Sequence, residues 1–371
     1  MRRHKTTLDW TIAGFLALAA GTMSATASPR ASSRDANQGS TAPDVPAVPA
    51  SRQPQAQVIE SSGIADLQPP AATPTSAPAV PQPFLIKVET LLDRAHFSPG
   101  VIDGRPGENL NNAIATYASA HHLPFSGELT TQIFTALAAG DEQPVTQDYK
   151  ISTDDEKGPF IGTLPSDFAA QAKFKRLGYL SPVQEIAEKF HMSEPLLQAL
   201  NPGADFGTAG TSILVVRPGN GGLGDGVARV EVDKGDNQLR LFDGAGKIIA
   251  AFPATVGSTE RPAPTGTWAV KFVTFNPDYT YDPKRLTFGK KSEGALTIAP
   301  GPNNPVGSTW IELTKPTFGI HGSPDPDLVG KTASHGCVRL TNWDAAELGK
   351  SVKKGVVVAF IGQEKAPGAN T

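Results

Sequence analysis

A multi-domain α+β chain is predicted, with a mainly β, sandwich- or barrel-like domain at its C-terminal end preceded by small helical modules. Three observations predict this. Between residues 84 and 200 apolar side chains recur at helical spacing, Leu85, Val88, Leu91 and Leu92 being the clearest run. After 219–226, where five of eight residues are glycine, the period drops to two and short apolar runs alternate with Gly, Pro and Asp. Ahead of both lies a stretch rich in Ala, Pro, Ser, Thr and Gln that holds few large apolar side chains.

In chain order, residues 1–27 read as a signal peptide. Arg2, Arg3 and Lys5 precede a short apolar run from Trp10 to Ala20, and Ala25-Thr26-Ala27 offers small residues for cleavage. An uncleaved membrane anchor is the alternative. An exported protein follows from either. Residues 28–82 read as a disordered Pro/Ala-rich linker, because they cannot bury enough surface to offset their ordering entropy. The whole chain carries a net charge of -3, and without 1–27 the remainder stands at -5. No basic footprint for nucleic acid is present.

Residues 83–141 read as a small helical domain. Ile114, Tyr117 and Ala118 form a second helical face, and the run from Phe97 to Gly107 between the faces demands tight turns. That loop and the turn Ser126-Gly127-Glu128-Leu129 resemble the three-helix peptidoglycan-binding module, although Tyr117-Ala118 stand where that module usually has Phe-Gln; a small helical domain that merely packs on its neighbour is the alternative. Residues 160–218 form a further unit, with apolar faces Val183, Ile186, Ala187, Phe190 and Leu196, Leu197, Leu200, stopped by Asn201-Pro202-Gly203. The run Ile186 to Ser193 with Leu200-Asn201-Pro202 resembles the LysM glycan-binding module, without its usual first strand. A spacer role is the alternative.

Past the glycine-rich hinge, strands are predicted at Val227–Val232, Gln238–Phe242, Ile248–Thr255, Thr267–Phe275, Ala295–Ala299, Thr309–Leu313 and Val356–Ile361. A helix is predicted at Asn342–Lys350, with Thr341 as its cap. The domain spans 227–362, leaving 363–371 as a C-terminal tail.

The chain has one cysteine, Cys337. A lone thiol in an exported protein forms no internal disulfide, so it is either a buried inert side chain or a working one. Its neighbours Ser334-His335-Gly336-Cys337-Val338-Arg339 favour work. A thiol attacks as thiolate and needs a base. His335 is too close in sequence to align with the sulphur, so His321, sixteen residues upstream, takes that role. Gly322 lets a backbone carbonyl approach the imidazole. Gly336 leaves the backbone amides near Cys337 open to an oxyanion. Ser334 adds a hydroxyl, and Arg339 a charge suited to a carboxylate or a thiolate. His321, His335 and Cys337 are also an N/S set suited to zinc, lacking a fourth ligand at a usual spacing.

Ile320-His321-Gly322-Ser323, then Gly330, then Ser334 to Leu340 together resemble the L,D-transpeptidase catalytic-domain signature. Pro264-Thr265-Gly266-Thr267-Trp268 and the loop from Pro300 to Gly307 match two further motifs of that family, so the resemblance covers about 227–362. It implies that Cys337 accepts the acyl group of a tetrapeptide donor stem after its third residue, releasing the terminal D-alanine. His321 would act as base and acid, Gly322 would orient it, and the amides of His335, Gly336 and Cys337 would form the oxyanion hole. The acyl group would pass to the amine of a second stem, giving a 3→3 cross-link, or to a D-amino acid, a protein amine or water. No metal or other cofactor is implied, and the partners are peptidoglycan stem peptides and glycan. A periplasmic location is expected. The segment 276–293 is aromatic and basic, with Tyr279, Tyr281, Lys284, Arg285, Phe288, Lys290 and Lys291. It is read as a wall or lid of the cleft, with Tyr279 and Tyr281 at the substrate, or else as a solvated loop. Two other readings of the whole are a wall-binding protein with an inactive catalytic fold, and an L,D-carboxypeptidase.

Overall fold

The computed structural model describes residues 53–68, 80–219, 222–224, 226–257, 262–282, 294–332, 334 and 336–364. The expected signal peptide, most of the linker, Lys284, Arg285, Phe288, Lys290, Lys291, His335 and the tail from residue 365 lie outside the described residues, as do three positions of the glycine-rich stretch.

The helical part runs α1 (Gln53–Ser61), α2 (Pro83–Arg94), α3 (Glu108–Ala120), α4 (Thr131–Ala138), β1 (Thr146–Lys150), α5 (Thr153–Lys157), α6 (Phe168–Gln171), α7 (Pro182–Lys189), α8 (Glu194–Leu200) and β2 (Ser212–Val216). Local sequence explains the paired helices. Ser181 and Ser193 cap α7 and α8 by accepting from the Gln184 and Leu196 amides, and a proline stands in the first turn of each. The two expected helical modules share one core: Phe84, Leu92, Ile102, Ile133, Ile186, Leu197 and Val215 belong to a single buried cluster. Backbone bonds join them as well, Ile102 N donating to His191 O (2.8 Å) and Ser193 N to Ile102 O (3.0 Å).

Two expectations are corrected here. The segment 28–82 was expected to be disordered throughout, yet it contains α1, whose Ile59 is buried in the helical core. Glu60 accepts from Thr146 N and Oγ1 at 2.8 and 2.6 Å. Average composition over the segment hides one short stretch whose order comes from these distant partners. No strand was expected ahead of α7, yet one is present. It is β1, which pairs antiparallel with β2 from Thr146↔Val216 to Lys150↔Ser212. It lies upstream of residue 160 because α5 and α6 intervene, and Thr-Gln-Asp-Tyr-Lys is too polar to show a strand pattern.

The remaining strands are β3 (Arg229–Asp233), β4 (Gln238–Phe242), β5 (Ile248–Pro253), β6 (Gly266–Phe275), β7 (Tyr279–Tyr281), β8 (Leu296–Ile298), β9 (Thr309–Leu313), β10 (Gly319–His321), β11 (Val338–Arg339) and β12 (Val357–Ile361), with α9 (Asn342–Ser351) before the last. Eight form one mixed sheet in the order β11-β10-β9-β6-β12-β3-β4-β5, and β7 with β8 makes a separate hairpin. Beyond β5, Thr255 exchanges both backbone bonds with Arg339 of β11 at 2.9 and 3.0 Å, bringing the two ends of the sheet together. This is the barrel-like, α+β arrangement expected from the sequence. Val232, Leu239, Leu241, Phe252, Ile311 and Ile320 fill its interior with α9, whose cap Thr341 accepts from Asp344 N.

The helical part covers the outer edge of β5. Ser98 N donates to Ala251 O and Ala251 N to His96 O, both at 2.9 Å, so residues 96–98 occupy an edge that would otherwise be unpaired. Thr116 Oγ1 to Gln238 Oε1 (2.7 Å) and Asn109 Nδ2 to Val329 O (2.9 Å) add side-chain ties. The described residues accordingly form one compact unit.

Candidate active site

Strands β10 and β11 run parallel, with Ile320 opposite Val338 and His321 opposite Arg339. This register places Cys337 opposite Gly319. Side chains alternate along a strand, so Ile320 and Val338 point into the core while His321, Cys337 and Arg339 share the other face. The sequence separation of sixteen residues is thus closed by one strand pairing.

His321 is 4% exposed, and its Nδ1 lies 2.7 Å from Gly322 O. A carbonyl only accepts, so Nδ1 carries the hydrogen and Nε2 keeps its lone pair. Trp310, opposite His321 on β9, stacks on the imidazole at 5.5 Å between ring centres and 26° between planes. The indole N–H is held by Glu312 Oε2 at 2.9 Å. Burial, then the Arg339 charge, lower the imidazole pKa to about 4, against the Gly322 bond that raises it. The ring is therefore neutral near pH 7.

The Cys337 thiol is half-buried and contacts Thr317 O at 4.0 Å. Burial raises its pKa, while the Gly319 N–H directed at sulphur and the Arg339 guanidinium both favour the thiolate. The resting pair is thus thiol and imidazole, with the Gly319 N–H and the Arg339 charge favouring the thiolate and the Glu312 charge opposing it. Gly319 has no room for a side chain, because an added Cβ would sit 2.6 Å from Trp310 Cζ2 and 2.9 Å from Ile311 O.

The loop before Cys337 is braced internally. Ser334 Oγ donates to Cys337 O at 2.6 Å and accepts from Gly336 N at 3.1 Å. Ser334 was expected at the substrate; its hydroxyl is instead spent on this turn and is buried. The Gly336 amide, expected to be open to an oxyanion, is likewise engaged. A serine two residues before a glycine forms this turn locally, which a reading focused on chemistry passes over. Gly336 itself adopts φ +116°, and a Cβ there would meet Phe318 Cε1 at 3.0 Å. Among the described residues, the Cys337 N–H has no hydrogen-bond partner.

Tyr279 reaches the site. Burial and the neighbouring Cys337 raise its hydroxyl to about 12, and Arg339 acts against them. Tyr281, expected beside it, is 1% exposed and packs on Phe168 of α6 at 4.9 Å, so it is part of the core. The segment 276–293, read as a wall or lid of the cleft or else as a solvated loop, contains strand β7, paired with β8 from Tyr279↔Ile298 to Tyr281↔Leu296. Three residues are too few to reveal a period.

Several contacts and residues here were not foreseen from the sequence. The loop from Pro300 to Gly307 is clamped by the helical part, with Leu177 N donating to Pro300 O (2.9 Å) and Asn303 Nδ2 to Gly178 O (2.7 Å). Asn342, at the start of α9, lies against Gly307 and Gly322 and accepts from Ser308 N at 3.0 Å. A half-exposed tryptophan in an alternating strand is a usable signal for Trp310, whereas no local signal marks Gly319. Among the described residues no group of three or more His, Cys, Asp or Glu side chains is placed to hold a metal ion.

The family model of the YkuD L,D-transpeptidase catalytic domain matches residues 228–359, from β3 to β12. The Bacillus subtilis protein YqjB, named for L,D-transpeptidase activity, is 30% identical over 143 residues, which are 37% of this chain and 73% of YqjB. YkuD of Bacillus licheniformis, named likewise, is 29% identical over 180 residues, covering 48% of this chain and 92% of its own. A solved L,D-transpeptidase from Mycobacterium smegmatis shares 20% identity at a TM-score of 0.30, over 42% of this chain and 64% of that one. The chain belongs to the YkuD L,D-transpeptidase family.

Proposed function

We propose that this chain is an exported, periplasmic L,D-transpeptidase of peptidoglycan that works through an acyl-enzyme on Cys337. The observation that carries the reading is the shared face of β10 and β11, on which the thiol, the Gly319 N–H and a tautomer-fixed His321 converge. His321 Nε2 takes the thiol proton as sulphur attacks the carbonyl carbon of the third residue of a tetrapeptide stem. The oxyanion meets the Cys337 N–H. Collapse expels the D-alanine amine, which receives the proton from His321 and leaves a thioester. A side-chain amine of a second stem attacks that thioester, His321 accepts its proton, and the thiol is restored with a 3→3 cross-link formed. A D-amino acid or a protein amine enters by the same route. Arg339, whose charge favours the Cys337 thiolate, and Tyr279, whose hydroxyl feels the Cys337 charge, line the donor side. The depressed imidazole pKa suits this sequence, because a neutral base is available at neutral pH.

Intact-mass spectrometry after incubation with a carbapenem tests the assignment. One covalent adduct is expected on the wild type, absent in Cys337→Ala and strongly slowed in His321→Ala. An adduct that persists in Cys337→Ala, or none on folded wild-type protein, overturns it.

A further inference from the structure

We infer that Glu188, in the helical part outside the transpeptidase domain, is a positioning residue for His321 and acts through the side-chain amide of Asn342. The inference rests on the transpeptidase reading above. Glu188 lies near the end of α7, where its carboxylate accepts from Tyr179 Oη at 3.0 Å. It also accepts from Asn342 Nδ2, at 3.2 Å on one oxygen and 3.0 Å on the other. The same Nδ2 reaches Pro302 O at 3.2 Å. Asn342 Oδ1 faces the opposite way and accepts from Ser308 N at 3.0 Å.

That oxygen is wedged between two backbones. A Cβ added at Gly322 would fall 2.3 Å from it, and one at Gly307 2.2 Å. Gly322 is the residue whose carbonyl holds His321 Nδ1 at 2.7 Å. The path from Glu188 to the imidazole therefore consists of one side-chain amide and one peptide unit, each in direct contact with the next.

Glu188 holds Nδ2 with both carboxylate oxygens and so reinforces the orientation that Pro302 O and the Ser308 N–H also favour. With Nδ2 on the carboxylate, Oδ1 meets a backbone N–H, and every polar group is paired. Rotating the amide would set oxygen against carboxylate and NH2 against the Ser308 N–H, leaving both ends buried and repelled. Asn342 is 3% exposed, so water offers no substitute. Burial holds the Glu188 carboxyl up at about 7, and its bonds from Asn342 and Tyr179 oppose that shift. A carboxyl kept in such a place at this cost is consistent with an orienting task. The tyrosine, the glutamate and the clamp on Pro300 all come from residues 177–188, so the helical part holds both the Asn342 amide and the Pro300 loop.

The experiment follows carbapenem acylation kinetics on the full chain. Glu188→Ala is expected to slow the saturated acylation step on the order of 10- to 100-fold, with the half-saturating concentration unchanged, since a misplacement of about 1 Å at the base has effects of this size. Alkylation of Cys337 by iodoacetamide at a pH where the thiol ionises unaided is expected to stay at the wild-type rate. Glu188→Gln, which keeps an oxygen for Asn342 Nδ2, is expected to retain most activity. In a His321→Ala background, Glu188→Ala is expected to have no further effect. Should Glu188→Ala fail to fold, Asn342→Asp preserves size and places an acceptor against the carboxylate; it is expected to lose rate, and added Glu188→Gln to restore it. Wild-type acylation by Glu188→Ala, an equal loss in alkylation, an undiminished loss without His321, or absence of the rescue each overturns the inference. A wild-type protein that takes no adduct removes the transpeptidase reading itself, and this inference with it.

Discussion

Gly319→Ala tests how tightly the site is built. The new Cβ would lie 2.6 and 2.7 Å from two carbons of the Trp310 ring and 2.9 Å from Ile311 O. Carbon atoms rest about 3.5–4.0 Å apart, so the indole or the strand must move by about 1 Å. The Ile311 carbonyl belongs to β9, which is paired on both sides, and yields less readily than a side chain. The Trp310 ring is stacked on His321 and tied to Glu312, so its displacement passes directly to the imidazole. Overpacking of this kind costs about 1–3 kcal/mol of stability. A shift near 1 Å at a reacting group costs on the order of 100-fold in rate. Acylation by a carbapenem followed by mass spectrometry, with thermal unfolding alongside, measures both. The expected result is a rate loss much larger than the stability loss accounts for, partly recovered when Trp310→Phe shrinks the ring. Wild-type acylation with an unchanged unfolding midpoint would refute the idea that Trp310 packing holds His321.

Other expectations follow from the same geometry. The imidazole acts as base only when neutral, so the acid limb of the acylation rate is expected near pH 4 rather than near the ordinary histidine value of 6.5; a limb at 6.5 would mean the ring is not desolvated before reaction. Ser334→Ala removes two hydrogen bonds from the turn and leaves the Gly336 N–H buried, a loss of about 1–3 kcal/mol, read as a lower unfolding midpoint together with slower acylation. Asp344, buried in α9 near Asp93 and Glu347, is raised from 3.8 to about 8. Between those values the folded state holds a proton that the unfolded chain has released, so stability falls as pH rises. Asp344→Asn is expected to gain in unfolding midpoint over the wild type as pH increases from 5 to 8, and a constant difference would contradict the assignment.

Most of the strand pattern was legible because each strand alternates on its own. Gln238–Phe242 and Thr309–Leu313 were read at their observed limits. Strands β7, β10 and β11 were not, since two or three residues carry no period and their pairing is set by partners far away. The candidate site was legible wherever chemistry is bound to residue type, as with a lone cysteine and a nearby histidine. It was illegible where the role comes from a backbone amide, as with Gly319, or from another part of the fold, as with Glu188. Tyr281 and Ser334 show the opposite failure. Both residue types suit a binding site, and only packing reveals that one fills the core and the other closes a turn.

What the sequence by itself determined is the set of reactive groups and the β-rich, α+β character of the domain that carries them, because side-chain chemistry and alternation are local properties. The tertiary structure alone decided three further things. It set the parallel register that puts Cys337 and His321 on one face, and the closure of the sheet through Thr255 and Arg339. It also merged the helical modules into one core that reaches the site through Glu188 and the Pro300 loop. These rest on contacts between residues tens to more than a hundred positions apart, and no local pattern in a chain encodes which distant partner will satisfy a buried donor or fill a gap beside a glycine.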